Sequence, residues 1–277
     1  MHFSLPREFS EGTNEVTCLT VTIPMTADRI ADNTFTVRVQ DSARFTLSTP
    51  GAIANLELAG NAQVIAQAGF QAANLTQTGG TLTVNAASAI GRYNWNGGTF
   101  AGSGSATLTG QSSWTRGTLT GNLVIANGAT LTLSTTGSDD VQGTSYKRFG
   151  AGSLSNFGTL AWQEGHIDVV GNARVDNAGL IAISGNYSFG DRSVGVGTLT
   201  LNNLASGTLR KSGGGETSIG TLGIPGGTAN YANVINDGDI VVESGSLRFG
   251  IGYSGAPGGG TFVHNGHLDV VAGALLE

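Results

Sequence analysis

Three groups of residues have the types and the spacing to do chemistry. Asp139 and Asp140, in the run GSDD, are the one adjacent acidic pair of the chain. Glycosidases place two carboxylates roughly 5 to 10 Å apart across the bond they cut, so this pair, followed by Glu164, His166, Arg210 and Lys211, is a candidate catalytic set. The phrases GHIDVV from Gly165 and GHLDVV from Gly266 form the second group. With Ile167 and Leu268 pointing inward, the two-residue alternation of a strand sets His166 beside Asp168 and His267 beside Asp269 on the outer face. Each pair is an acid/base couple or two ligands of a metal site, with His264 as a third ligand for the second copy. For an enzyme, the residues to test are therefore Asp139, Asp140, His166 and Asp168. For a metal they are His166, Asp168, His267 and Asp269.

The aromatic residues Tyr93, Trp95, Trp114 and Trp162 make the third group. All three tryptophans stand in one pattern, Trp-x-x-Gly-x-apolar: WNGGTF, WTRGTL and WQEGHI. They are candidates for a ligand surface that stacks on sugar rings, with Tyr93 and Trp95 the best placed. The competing and favoured reading packs each ring over the corner that follows it. Bland readings also stand beside the charged groups. GSDDVQGTSYKRFG from Gly137 suits a solvated loop, and the His–Asp pairs suit outward polar positions carried along with a repeat.

Other chemistries lack their residues. There is no Gly-x-Ser-x-Gly between a strand and a helix, no Gly-Lys-(Ser/Thr) phosphate loop, and GGGE from Gly213 departs from the spacing of calcium-binding β-rolls. Cys18 is the single cysteine, which rules out a cysteine zinc cluster and an intrachain disulfide. No cofactor is expected. A net charge of −6 and only two lysines, Lys147 and Lys211, argue against a nucleic-acid partner. No run of about 18 apolar residues is present to span a membrane.

The elements that position these residues follow from glycine. It supplies 45 of 277 residues, more than twice the usual share of about 7%, without the strict three-residue period of collagen. The stretch from Thr13 to Pro50 contains none of them. Three alternating segments there read as strands: Leu19, Val21 and Ile23; Phe35, Val37 and Val39; Phe45 and Leu47. Residues 1–50 are accordingly read as a distinct N-terminal β segment, a cap, and residues 51–277 as repeats.

Beyond residue 50 the unit Gly-(Ser/Thr)-(Leu/Phe) recurs at Gly80, Gly98, Gly117, Gly152, Gly158, Gly197, Gly207, Gly220, Gly245 and Gly260. Glycine permits the corner, the hydroxyl residue faces out and the Leu or Phe faces in. Asn precedes a second set of strands in NFGTL, NAGLI, NDGDI and NGHLD, at Asn156, Asn177, Asn236 and Asn265. Asn156 to Asn177 is one step of 21 residues, and Asn177 to Asn236 reads as three such steps. A unit this short cannot bury its apolar face alone and must stack, with Asn forming side-chain ladders between identical corners. The expected fold is an all-β, right-handed parallel β-helix with about 13 coils of about 20 residues. Five Thr-Leu-Thr triplets, at Thr81, Thr107, Thr118, Thr130 and Thr198, raise ice binding, but their uneven steps put neighbours on different faces.

The phrases GTLT, GNLVIANGATLTL and NFGTL resemble the passenger and stalk regions of large exported bacterial surface proteins of the autotransporter and filamentous-haemagglutinin type. That resemblance covers residues 51–277 and implies a β-helix outside the cell or on its surface. It also implies a non-enzymatic role in adhesion or as a scaffold, with the export signal outside this segment. Partners would be a host or environmental surface, carbohydrate among them, and further repeats of the same chain. The order of Asp139, Asp140, Glu164, His166, Arg210 and Lys211 also resembles the pectin-cleaving β-helix hydrolases, without their surrounding motif residues, and implies a polysaccharide hydrolase or lyase as the alternative. Loops that break the period, 138–148, 185–196 and 250–260, would carry binding, and the phrase ending at Glu277 reads as a truncated repeat.

Overall fold

The structure is a computed structural model, and it describes residues 15–17, 20–23, 36–135, 147–190, 197–220, 231–250 and 260–277. Among the described residues every regular element is a strand and every strand pairing is parallel. The chain winds as a parallel β-helix of three faces, here called A, B and C in the order each coil visits them. The strand Ser88–Ala101 crosses all three in one sweep: its start pairs with Ser105–Leu108 on face A, its middle with Gln111–Leu119 on face B, and its end with Thr81–Val84 on face C.

The alternation read from the sequence sets what faces inward. Of the ten apolar members of the glycine units, Leu82, Phe100, Leu119, Leu154, Leu160, Leu199, Leu209 and Leu247 are buried, Phe262 in the last coils is partly buried, and Leu222 lies outside the described residues. The Thr or Ser before each buried member is partly exposed. Parallel register then puts like on like, as with Leu131, Leu160 and Ile181 on face B. Burying each such side chain contributes about 1.5 to 3 kcal/mol.

Strands within the first 50 residues belong to the same stack. Thr36–Val39 pairs with Gly51–Leu58, and Arg44–Leu47 with Gln63–Ala66. Pairing is unbroken at the compositional boundary near residue 50. Cys18, Leu19 and Phe35 lie outside the described residues.

Coil length differs from the expected 20 residues in both directions. Asn55 stacks on Asn74 at 19 residues and Phe70 meets Ser88 at 18, whereas later steps on face A are 21, 26, 33 and 28 residues. A constant strand lattice with corners of variable length accounts for this, because loop extension costs only about 0.6 kcal/mol per doubling.

The later steps are read directly from an interior ladder. Asn156 donates through Nδ2 to Asn177 Oδ1 at 2.7 Å, Asn177 to Asn203 at 2.7 Å, and Asn203 to Asn236 at 2.6 Å. The second Nδ2 hydrogen of the first three donates to the backbone oxygens of Leu180, Thr208 and Asp239, each on the strand just past the next coil's corner. Asn177 to Asn236 is therefore two steps through Asn203, not three. The fourth expected member, Asn265, points outward to Asp237 at 2.9 Å, and His264 stands in its place, 2.9 Å from Asn236 Nδ2.

All four asparagines are at most 1% exposed, so no water replaces a lost partner. Asn177→Ala should lower stability by about 2 to 4 kcal/mol in denaturant unfolding, because it leaves buried donors and acceptors on both neighbours unmet. Asn265→Ala, on the exposed side of the same corner, should stay within about 0.5 kcal/mol. Equal effects of the two would sink the ladder's structural role.

Candidate functional site

The aromatic group lies inside the helix. Tyr93, Trp95, Trp114 and Trp162 are 0, 0, 1 and 2% exposed, so they form no sugar-stacking surface and the packing reading holds. Trp95 stacks on Tyr93 at 5.3 Å between ring centroids and on Trp114 at 4.6 Å, with planes within 7°. Register pairs Trp114 with Trp95 on face B. Stacking of this kind adds about 0.5 to 1.5 kcal/mol per pair beyond burial.

The Trp-x-x-Gly pattern has a specific cause. Face B ends at the tryptophan, and the corner that follows turns on a glycine with positive φ: Gly98 at 78°, Gly117 at 112° and Gly165 at 83°. That corner leaves carbonyls facing an interior without water. Trp95 Nε1 donates to Gly97 O at 2.9 Å and Trp162 Nε1 to Gly165 O at 2.7 Å. Glycine is also required sterically at 117, where a Cβ would meet Trp95 Nε1 at 2.5 Å.

Other coils put different donors at the same inward position. Gln77, paired with Trp95, donates to Gly80 O and Thr99 O and accepts from the buried Tyr93 hydroxyl. Lys211 donates through Nζ to Ser212 O at 3.1 Å and Gly213 O at 2.9 Å. Trp114 differs, since its Nε1 meets no acceptor among the described residues. Burial pushes the Tyr93 hydroxyl well above its usual range and lowers the Lys211 ammonium from its ordinary value. Both lysines of the chain are interior, with Lys147 Nζ donating to Glu164 O at 3.2 Å.

The charged candidates are dispersed. Asp139 and Asp140 lie outside the described residues. Glu164 accepts from Thr135 N and Oγ1, both at 3.2 Å, and so ties two coils together at a corner. His166 is half-buried, just before the face C strand Ile167–Val169, and its partner is Ser188 of the next coil: Nδ1 lies 3.0 Å from the Ser188 N–H and 2.7 Å from its Oγ. A backbone N–H can only donate, which assigns Nδ1 as acceptor and the ring proton to Nε2. Tyr187 meets the imidazole edge-on at 5.4 Å.

A Ser–His contact is the geometry of an activated nucleophile, and the sequence reading missed Ser188 because it stands in no motif. Ser188 is 3% exposed, however, which closes its Oγ to substrate. Asp168 is fully buried, in register with Arg148. With Ser188 and Ser218 it occupies outward positions of face C that are nonetheless covered. The expected solvent-facing His166–Asp168 pair is thus corrected: Asp168 is enclosed, and His166 is held by Ser188.

The second copy sits on another face. Leu268 belongs to face B, paired with Ile240, whereas Ile167 belongs to face C. His267 faces Asp239 of the preceding coil at 3.9 Å, both more than half exposed. Asp269 stacks over Val241. Stacking between coils, not alternation along one strand, decides which charges meet. Among the described residues no group of three or more His, Cys, Asp or Glu could hold a metal ion, and no helix is long and apolar enough to cross a membrane. The Thr-Leu-Thr triplets fall on all three faces; only Thr81 and Thr118, joined through Thr99, stack in register.

Comparison of the chain with protein-family models, with curated proteins and with solved structures gives no match, so function is argued from geometry.

Two measurements check the interior placement. Tryptophan emission should be blue-shifted and resist acrylamide, and quenching like that of free indole would contradict it. Lys211 binds its proton less readily folded than unfolded, so stability should rise with pH between its lowered folded pKa and the ordinary 10.5. Lys211→Met should lose that rise; an unchanged pH profile would remove Lys211 as its source.

Proposed function

We propose that this chain is a non-enzymatic segment of a large exported bacterial surface protein, a rigid rod that presents binding loops outside the cell. The observation that carries the reading is the register of the corner between faces C and A. Gly190 donates to Ile167 O at 2.7 Å, Gly220 to Phe189 O at 2.8 Å and Gly250 to Ile219 O at 2.8 Å. These three glycines therefore end face C at one position in consecutive coils. Face A resumes with Thr198–Asn203, Tyr231–Asn236 and Thr261–His264.

Gly190, Gly220 and Gly250 thus stack along one edge of the rod at roughly 4.8 Å per coil, and residues 191–196, 221–230 and 251–259, which follow them, lie outside the described residues. The sequence reading named two of these segments and missed 221–230. The strands on either side keep their pairing from coil to coil, so chain inserted after these glycines is free to carry ligand contacts in the proposed role. The partner class is a host or environmental surface, carbohydrate among them, with further repeats of the same protein along the rod. A polysaccharide hydrolase or lyase is the weaker reading, because His166 is engaged by Ser188 and Asp168 is enclosed.

The preceding coil makes this corner with only Val170 and Gly171 between strands. Replacing each of the three segments by Val-Gly should leave the circular dichroism and the melting temperature nearly unchanged and reduce adhesion to cultured cells or glycan-coated plates more than tenfold. Adhesion at the original level in the triple replacement would overturn the proposal.

A further inference from the structure

We propose that the N-terminal half of the rod carries a separate binding site, a groove along the corner between faces A and B that takes a neutral linear polysaccharide. Two independent observations meet there. From Leu58 to Thr135 the sequence holds only two charged residues, Arg92 and Arg116, and steps of 18 or 19 residues link Phe70 to Ser88 and Tyr93 to Ser112, with no insertion. On this sparsely charged, regular surface, and reaching into the preceding coil whose Glu57 is ion-paired with Arg38, an open groove of about 320 Å³ is lined by Ala52, Gln71, Ala73, Ala89, Gly91 and Thr109, among others. It crosses four coils parallel to the rod axis, a length of roughly 14 Å at about 4.8 Å per coil.

The floor is methyl and glycine surface, with the Gln71 amide and the Thr109 hydroxyl in its lining. Ala52, Gln71 and Ala89 are successive register partners. Just beyond Ala73 and Gly91 on face B, Asn74 and Arg92 are paired in register. Asn74 donates to Asn55 Oδ1 at 3.0 Å. Arg92 is exposed and makes no ion pair among the described residues.

The groove's chemistry selects its occupant. A peptide would add as a strand only to an unpaired edge, and here Ile53, Ala72 and Ile90 are already paired. A nucleic acid needs several phosphate-neutralising cations, and the groove's rim offers Arg92 alone. A neutral glycan brings hydroxyls that both donate and accept, matching the amides, the hydroxyl and the guanidinium, while its C–H faces rest on alanine methyls.

The test uses the full chain with cellohexaose, xylohexaose and mannohexaose as neutral probes and an oligogalacturonate of similar length as the anionic one, by calorimetry. At least one neutral hexasaccharide should bind, and more tightly than the oligogalacturonate. Ala73 is exposed, so Ala73→Phe fills the groove from outside the core and should weaken binding at least tenfold. Gln71→Ala and Arg92→Ala should each weaken it about five- to tenfold and keep the test decisive if Ala73→Phe does not fold. Thr99→Phe, on face C, should bind normally. So should the chain with all three corner segments replaced, which separates this site from the loops. Failure of every neutral probe to bind, preference for the oligogalacturonate, or full binding by the groove variants would overturn the proposal.

Discussion

A parallel β-helix is constrained by what its corners leave unpaired. Strand backbones satisfy one another between coils, but each corner turns carbonyls toward an interior from which water is excluded, where an unmet buried group costs about 1 to 3 kcal/mol. The chain answers with inward donors at two corners. Between faces B and C they are the Gln77 amide, the indoles of Trp95 and Trp162 and the Lys211 ammonium. Between faces A and B they are the asparagine side chains. Amide, indole and ammonium are unlike in size and charge and alike in reaching a corner carbonyl, while Leu58, Leu133, Ile183 and Val242 fill the same register position without a donor, so this corner accepts several kinds of N–H and does not require one in every coil.

This requirement separates what can vary from what cannot. A corner may lengthen provided that the strands re-enter in register and the inward donor finds its carbonyl. Face A steps from 21 to 33 residues along the asparagine ladder with donor distances of 2.6 to 2.7 Å throughout. Polar atoms that bond both along the stack and to the local corner mark where each coil begins, adding to the register that the buried two-residue alternation already imposes.

The same constraint explains how much was legible in the sequence. Fold class, inward Leu and Phe positions and the use of Asn in ladders were readable, because glycine corners and two-residue alternation are local signals. Asn203 was hidden, because Leu204, Ala205 and Ser206 separate it from Gly207 and break the Asn-x-Gly phrase; His264 was hidden because it fills an asparagine's place with a different side chain. The Trp-x-x-Gly pattern was visible, but its donor role depends on a carbonyl that only the folded corner presents. Pairings between coils were least legible of all. His166 with Ser188 and His267 with Asp239 join residues 22 and 28 positions apart, and those separations are set by corner lengths that no local motif encodes.

The two halves of the rod divide the consequences. Where the coils are short and regular, the outer surface is shaped by the strand lattice itself, and it is this surface that is proposed to take a linear ligand. Where the steps lengthen, the Asn156 to Asn236 ladder holds the coils in place, and under the proposed function that lattice is the mount for the corner segments. The polar interior thereby gives one stack both a fixed surface and a variable one, because a hydrogen bond held inside the coil leaves the outside of the same corner free to differ.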